Sequence, residues 1–217
     1  MLTDMRIIVL VALAALLISG ESWSIPRTWA GKKAGSQENN PLVDNAGPRW
    51  RADQIYPDKP EDLANWKPMG CAESQRNLVW FNEPGSQGGN PHIRVEKSRL
   101  IMGVYSLATN MEWAKVPAVV FIAPRDGGYK LVQETAFKGW EGNGVVMVRY
   151  FRIDRVAKTV EAVGSDIAGS PDARRGESRV VRLAKGDELA VSFWIDGHHA
   201  GATVTASVAV STAKLPE

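Results

Sequence analysis

From residue 78 to residue 210 the chain is a succession of short β-prone runs cut apart by turn residues, and this rhythm restricts the fold more than any other feature. The runs are LVWFN (78–82), HIRVE (92–96), RLIMGVYS (99–106), AVVFIA (118–123), YKLVQET (129–135), GVVMVRYFRID (144–154), KTVEAV (158–163), SRVVRLA (178–184), ELAVSFWID (188–196) and TVTASVAV (203–210). They are rich in Val, Ile, Phe and Thr, which suit a pleated, half-buried surface. EPGSQGGN, PRDGG, KGWEGNG, GSDIAGSPDARRGE and DGHHAG separate them with Gly, Pro, Asn and Asp. No stretch shows the apolar stripe of a helix. Many short strands with no helices between them predict an all-β antiparallel β-sandwich.

Alternation assigns faces to the later strands. Leu189, Val191, Phe193 and Ile195 share one face, while Glu188, Ser192, Trp194 and Asp196 share the other. Val204, Ala206, Val208 and Val210 point inward, and Thr203, Thr205 and Ser207 outward. Residues 145–151 are apolar on both faces, as in a central strand. KTVEAV and the loop GSDIAGSPDARRGE carry the charge expected at a sheet edge.

The N-terminus speaks to compartment. Residues 7–18 read IIVLVALAALLI behind Arg6. This run is shorter than the roughly 20 residues a membrane span needs, and fits the core of a signal peptide. Small residues Ser22 and Ser24 place cleavage near Ser24, with Gly20 or Ala30 as alternatives and a retained anchor as the competing reading. The expected location is secreted or periplasmic, with no stable membrane anchor after cleavage. The only cysteine is Cys71, so no intramolecular disulfide forms and the core must hold the fold alone. The formal net charge of +2 argues against nucleic acid as a partner.

Three segments result: a signal peptide (1–24), a Pro/Gly-rich extended or loosely packed segment (25–63) and a sandwich domain (64–212). In the middle segment, Pro26, Pro41, Pro48, Pro57 and Pro60 interrupt apolar residues that follow no period, with Trp50, Ile55 and Tyr56 as the residues to pin part of it to the domain. Within 57–66, Pro60 and the acids after it suit one helical turn.

AVVFIAPRDGGYKLV, GNGVVMVRYF, VVRLAKGDELAVSFWID and the closing ATVTASVAV form a spaced pattern. It resembles a jelly-roll, carbohydrate-binding-module-like domain of secreted bacterial proteins, a family mostly uncharacterised. The matching residues are Phe121, Ala123, Pro124, Asp126 and Gly127, then Tyr129, then Gly142, Gly144 and Val145, then Leu183, Gly186, Asp187, Leu189 and Phe193. NWKPMG (65–70) and LVWF (78–81) look like its opening strands, so the likeness covers residues 64–210. It implies a jelly roll. DGHHAGA (196–202) departs from the family's Asn- and Asp-rich last hairpin. The motif residues themselves read as turn builders. Pro124, Asp126 and Gly127 with Gly128 make a tight turn needing positive φ, and Gly186–Asp187 makes a two-residue hairpin turn.

No G-x-S-x-G, H-E-x-x-H or P-loop is present. Glu134, Glu161, Glu188 and Asp196 are the carboxylates a glycosidase pair would draw on, but any sandwich surface offers such pairs. His198 and His199 lack nearby partners beyond Asp196. Asp126, Asp166 and Asp196 are the loop acids calcium would use. Neither a metal site nor a cofactor is assigned. The eight tryptophans are the best binding signal, because an indole stacks on a sugar ring while its N–H can meet a hydroxyl. Trp140, Trp194, Trp80 and Trp113 are the candidates. The leading expectation is a secreted, non-catalytic module whose partner is a glycan or polysaccharide. The alternative is a cell-envelope structural protein with a protein partner. A carbohydrate-active enzyme ranks third.

Overall fold

The computed structural model describes residues 20–25, 49–55, 59–72, 79–82, 92–96, 99–105, 115–139, 145–164, 167–168, 172, 174–196 and 201–217. Along the chain the strands are β1 (Ser22–Ser24), β2 (Arg49–Ile55), β3 (Trp66–Pro68), β4 (Gly70–Ala72), β5 (Val79–Asn82), β6 (His92–Glu96), β7 (Arg99–Tyr105) and β8 (Val116–Ile122). They continue with β9 (Gly127–Gly139), β10 (Val145–Asp154), β11 (Thr159–Ala162), β12 (Ile167–Ala168), β13 (Arg174–Glu177), β14 (Val181–Leu183), β15 (Glu188–Asp196) and β16 (Gly201–Thr212). A 3-10 turn, Leu63–Asn65, precedes β3, and the Asp62 carboxylate caps it by accepting from Ala64 N.

Two antiparallel sheets pack face to face as a jelly-roll sandwich. One runs β13-β9-β16-β7-β6-β5-β4, with β1 also on β16 and β14 also on β9. The other runs β11-β10-β15-β8-β2-β3, with β12 also on β10. The main core lies between them. β16 sends Val204, Ala206, Val208 and Val210 into it, β15 sends Leu189, Val191, Phe193 and Ile195, and β10 sends Val146, Val148 and Tyr150. Both alternations predicted from sequence are thus present. β11 and β13 end their respective sheet orders, where the charge pattern put them.

The middle segment is more ordered than its composition implied. β2 lies inside the seven-stranded sheet between β8 and β3, with Trp50 fully buried against Phe121. The reading of 25–63 as loosely packed therefore fails for residues 49–55. The alternation in RWRADQI breaks at its end, where Ile55 joins the outer cluster, and its outward Arg51 and Asp53 are charged yet buried, as shown below.

The N-terminal boundary also shifts. Ser22–Ser24 pairs antiparallel with Ala209–Ser211 of β16, so β1 occupies the half-edge of β16 that β7 leaves open. Trp23 packs on Phe121 and Tyr129 with ring centroids 5.2 and 6.0 Å apart, and Ile25 is fully buried. Residues expected to leave with a signal peptide thus belong to the sandwich.

Two turn readings change as well. Gly127 and Gly128 are absent from the positive-φ positions among the described residues and begin β9 instead. Gly128 is needed for space, since a Cβ there would sit 2.3 Å from Ala213 O. Gly186 does adopt φ +95. Its turn joins β14 of one sheet to β15 of the other, so it is a crossover and not a hairpin. Asp187 accepts from Ala184 N at 2.9 Å and Asp126 from Lys185 N at 2.8 Å, which pins this turn to the start of β9.

Candidate functional site

The seven-stranded sheet buries apolar side chains on its outer face too. Ile55, Val116, Ala118, Val120, Phe151, Ile153 and Ala190 form a second cluster, covered partly by Trp66. Trp66 is held there by an edge-to-face contact with Phe151 at 5.1 Å and by its indole N–H donating to Pro60 O at 2.8 Å.

Beside this cluster lies a cleft of ≈ 80 Å³. A water needs about 10–15 Å³ by this measure, so the cleft admits several waters or the edge of a small ring. Strand register builds it. On β15, Ser192 and Trp194 point outward, and β10 sets Arg149 opposite Ser192 and Met147 opposite Trp194. The Arg149 guanidinium carbon stands 4.8 Å from the centre of the Trp194 ring, a cation–π contact worth about 0.5–1 kcal/mol in a partly exposed setting. Phe151, Ile55, Val116 and Pro60 supply apolar walls. The buried Ser192 Oγ lines the cleft and makes no protein hydrogen bond. Leaving such a hydroxyl unsatisfied costs about 1–3 kcal/mol, so it favours any ligand or water that brings a partner.

Further along the same outer face, four charges meet. Arg51 forks onto Glu188, with Nη1–Oε1 and Nη2–Oε2 both 2.7 Å, and onto Asp53 with Nε–Oδ1 2.6 Å and Nη2–Oδ2 2.8 Å. Arg155, from the turn after β10, adds a 2.7 Å contact to Glu188 Oε1 and a 3.6 Å contact to Asp53 Oδ2. Asp53 is fully buried, and Arg51 and Glu188 nearly so. Burial would lift the Glu188 carboxyl, but hydrogen bonds from Arg51 and Arg155 hold it below the usual glutamate range. Burial drives Asp53 upward against the pull of Arg51. Arg51 itself, opposed by burial, is held firmly protonated by the two carboxylates. A general acid for glycoside hydrolysis needs a raised pKa and a free face, and Glu188 has neither.

A second, wider cavity of ≈ 620 Å³ lies at the crossover turn, lined by Asp126, Arg152, Asp154, Arg182, Lys185 and Asp187 among others. Its acids are already engaged. Asp154 accepts from Val156 N and Ala157 N, and Asp187 lies 3.6 Å from Arg152. Among the described residues it has no aromatic wall. Asp126 and Asp187 hold the crossover turn, and Asp154 holds the turn after β10.

Of the four candidate tryptophans, Trp194 is in the cleft. Trp80 lies on β5 of the other sheet, paired with Arg94, so it does not share a strand surface with Trp194. Trp113 and Trp140 fall outside the described residues, as do His198, His199, Asp166 and the rest of 197–200; β15 and β16 lie in different sheets, so they do not form the last hairpin read from DGHHAGA. Glu161 pairs with Arg179, and Glu134 is exposed on β9. Among the described residues, no three His, Cys, Asp or Glu side chains converge as a metal would require, and no helix is long and apolar enough to cross a membrane. Cys71 lies on β4, paired with Phe81. Arg149 and Ser192 were not singled out from sequence. The available signal was one charge inside the apolar strand VVMVRYF.

No family model and no curated protein matches this chain. Among solved structures it is similar to the N-terminal cellulose-binding domain of Cellulomonas fimi β-1,4-glucanase C, at 13% identity over 64% of this chain and 90% of that one, TM-score 0.38. It is also similar to the xylan-binding module CBM15, at 12% identity over 80% and 96%, TM-score 0.39. A third is the isomalto-dextranase of Arthrobacter globiformis T6, at 14% identity over 65% of this chain and 22% of that one, TM-score 0.31. At such scores the likeness does not speak to ligand or activity.

Proposed function

We propose that this chain is an exported, non-catalytic module that binds a glycan through the cleft at Trp194. The observation that carries the reading is the cleft itself: a half-buried indole, a guanidinium stacked on it and a buried hydroxyl with no protein partner. A sugar ring offers an apolar C–H face to the indole and hydroxyls to Arg149 and Ser192 at once. The locking of Glu188 and Asp53 by two arginines favours binding over hydrolysis. Export rests on Arg6 and the apolar run 7–18.

The test is affinity electrophoresis and pull-down of the full chain against a panel of soluble and insoluble polysaccharides. Retention on at least one, with loss on Trp194→Ala and weakening on Ser192→Ala, is expected. Retention that survives Trp194→Ala places the site elsewhere. No retention on any polysaccharide refutes the reading.

A further inference from the structure

We infer that the mature N-terminus is Glu21, generated by cleavage of the Gly20–Glu21 bond, because the four residues after it are part of the fold. This rests on the export reading above. Cleavage after Ser24 would place a free ammonium on Ile25, which is 0% exposed. An ammonium cannot be buried in an apolar core without a partner. It would also strip β1 from Ala209–Ser211 and reopen an unpaired half-edge on β16. Cleavage after Ala30 would remove Ile25 as well. Cleavage after Ser22 would put the new charge on half-buried Trp23, which packs on Phe121 and Tyr129.

Glu21 has none of these problems. It is exposed, so its new ammonium reaches water. Its carbonyl accepts from Thr212 N at 2.9 Å, and its carboxylate pairs with Arg125 at 2.8 Å, so it completes the β1–β16 ladder from outside. Gly20 is exposed and lies outside β1. Glycine at the last leader position meets the small-residue requirement at that position, and position −3 of this cut is Ile18. The leader is thus fused almost directly to a structural strand, with no spacer to sacrifice.

The experiment expresses the full chain in a secreting bacterial host and reads the N-terminus of the exported protein by intact mass and Edman sequencing. Glu21 is expected. A start at Trp23, Ile25 or Gly31 overturns this inference and leaves export standing, whereas an uncut chain overturns both. The full-chain variant Ile25→Asp provides the second readout. Its exported product should start at the same residue yet melt about 6–20 °C lower, as for loss of a large core side chain in a domain of this size. A melting temperature equal to wild type would show that the segment is not structural, and would overturn the inference whatever the cut.

Discussion

Replacing Arg51 with leucine should be among the most damaging single changes outside the main core. Arg51 is the shared partner of two carboxylates, holding Glu188 and Asp53 by two contacts each between 2.6 and 2.8 Å. Without it, Asp53 keeps only the 3.6 Å approach of Arg155, and Glu188 only its 2.7 Å contact to the same arginine. Removing one partner from a buried ion pair costs about 3–5 kcal/mol. In a domain of 150–250 residues that lowers Tm by roughly 6–20 °C, taking about 2–4 °C per kcal/mol. The penalty should also depend on pH. In the wild type, Glu188 has a folded pKa below its unfolded value. Its stabilisation is therefore present above about pH 4.3 and is lost as pH falls through the folded pKa. Asp53, pushed up by burial, has the opposite sign. In Arg51→Leu both carboxyls lose their main counter-ion, so both folded pKa values rise. The folded state then takes up protons that the unfolded state does not, and the deficit shrinks as pH is lowered from 7 toward 4.5. Urea unfolding of both proteins at the two pH values reads this directly. A deficit below about 1 kcal/mol at pH 7, or one identical at both pH values, refutes the account. The triple variant Arg51→Met, Asp53→Leu, Glu188→Leu should recover most of the loss, since no buried charge then lacks a partner.

Trp194→Ala should abolish polysaccharide retention while lowering Tm by only a few degrees, because the ring is half-buried and faces the cleft; circular dichroism melts alongside the pull-down separate the two effects. Gly186→Ala should cost about 1–2 kcal/mol in urea unfolding from backbone strain alone, since a Cβ there meets nothing within 4 Å. Gly128→Ala should instead act by collision with Ala213 O, and should free residues 213–217 to limited proteolysis. Asp187→Ala should cost about 1 kcal/mol by leaving Ala184 N without its acceptor. EDTA should leave Tm unchanged by differential scanning fluorimetry, and added Zn²⁺ should raise it by less than the roughly 5–11 °C expected of a native-state metal at a hundredfold excess over Kd.

The strands easiest to read from sequence were those with one dry face and one wet face. TVTASVAV and ELAVSFWID alternate because the main core takes every second residue, and both faces came out as the residues dictated. Strand β2 defeated the same logic. In RWRADQI, Trp50 and Ala52 face the core while Arg51 and Asp53 are just as buried on the other side. Period-two reading assumes that charge marks solvent. Here Arg51 and Asp53 match each other within the strand, and the rest of the match comes from β15 and from the turn after β10, residues some 100 and more positions away that no local pattern reports. β1 was hidden for a different reason. SWS is three residues long and stands behind a leader-like apolar run, so a rule about processing outweighed a weak signal for structure.

The site shows the same division. Trp194 could be placed on the face opposite Leu189, Val191 and Phe193 because one strand's alternation fixes it. The same alternation sets Ser192 beside it, but Arg149 could not be joined to them, because its meeting with Trp194 depends on the register of β10 against β15. A slip of one residue in that pairing would reverse the facing of Arg149 relative to Trp194, turning the guanidinium toward the main core. What sets the register is the apolar row on the inner face: Val146, Val148 and Tyr150 must meet Ile195, Phe193 and Val191 between the sheets. The cleft is therefore a by-product of core packing on the reverse side of the same two strands. That is why an indole and a hydroxyl from one strand and a guanidinium from its neighbour can be held in fixed relation with no loop to position them.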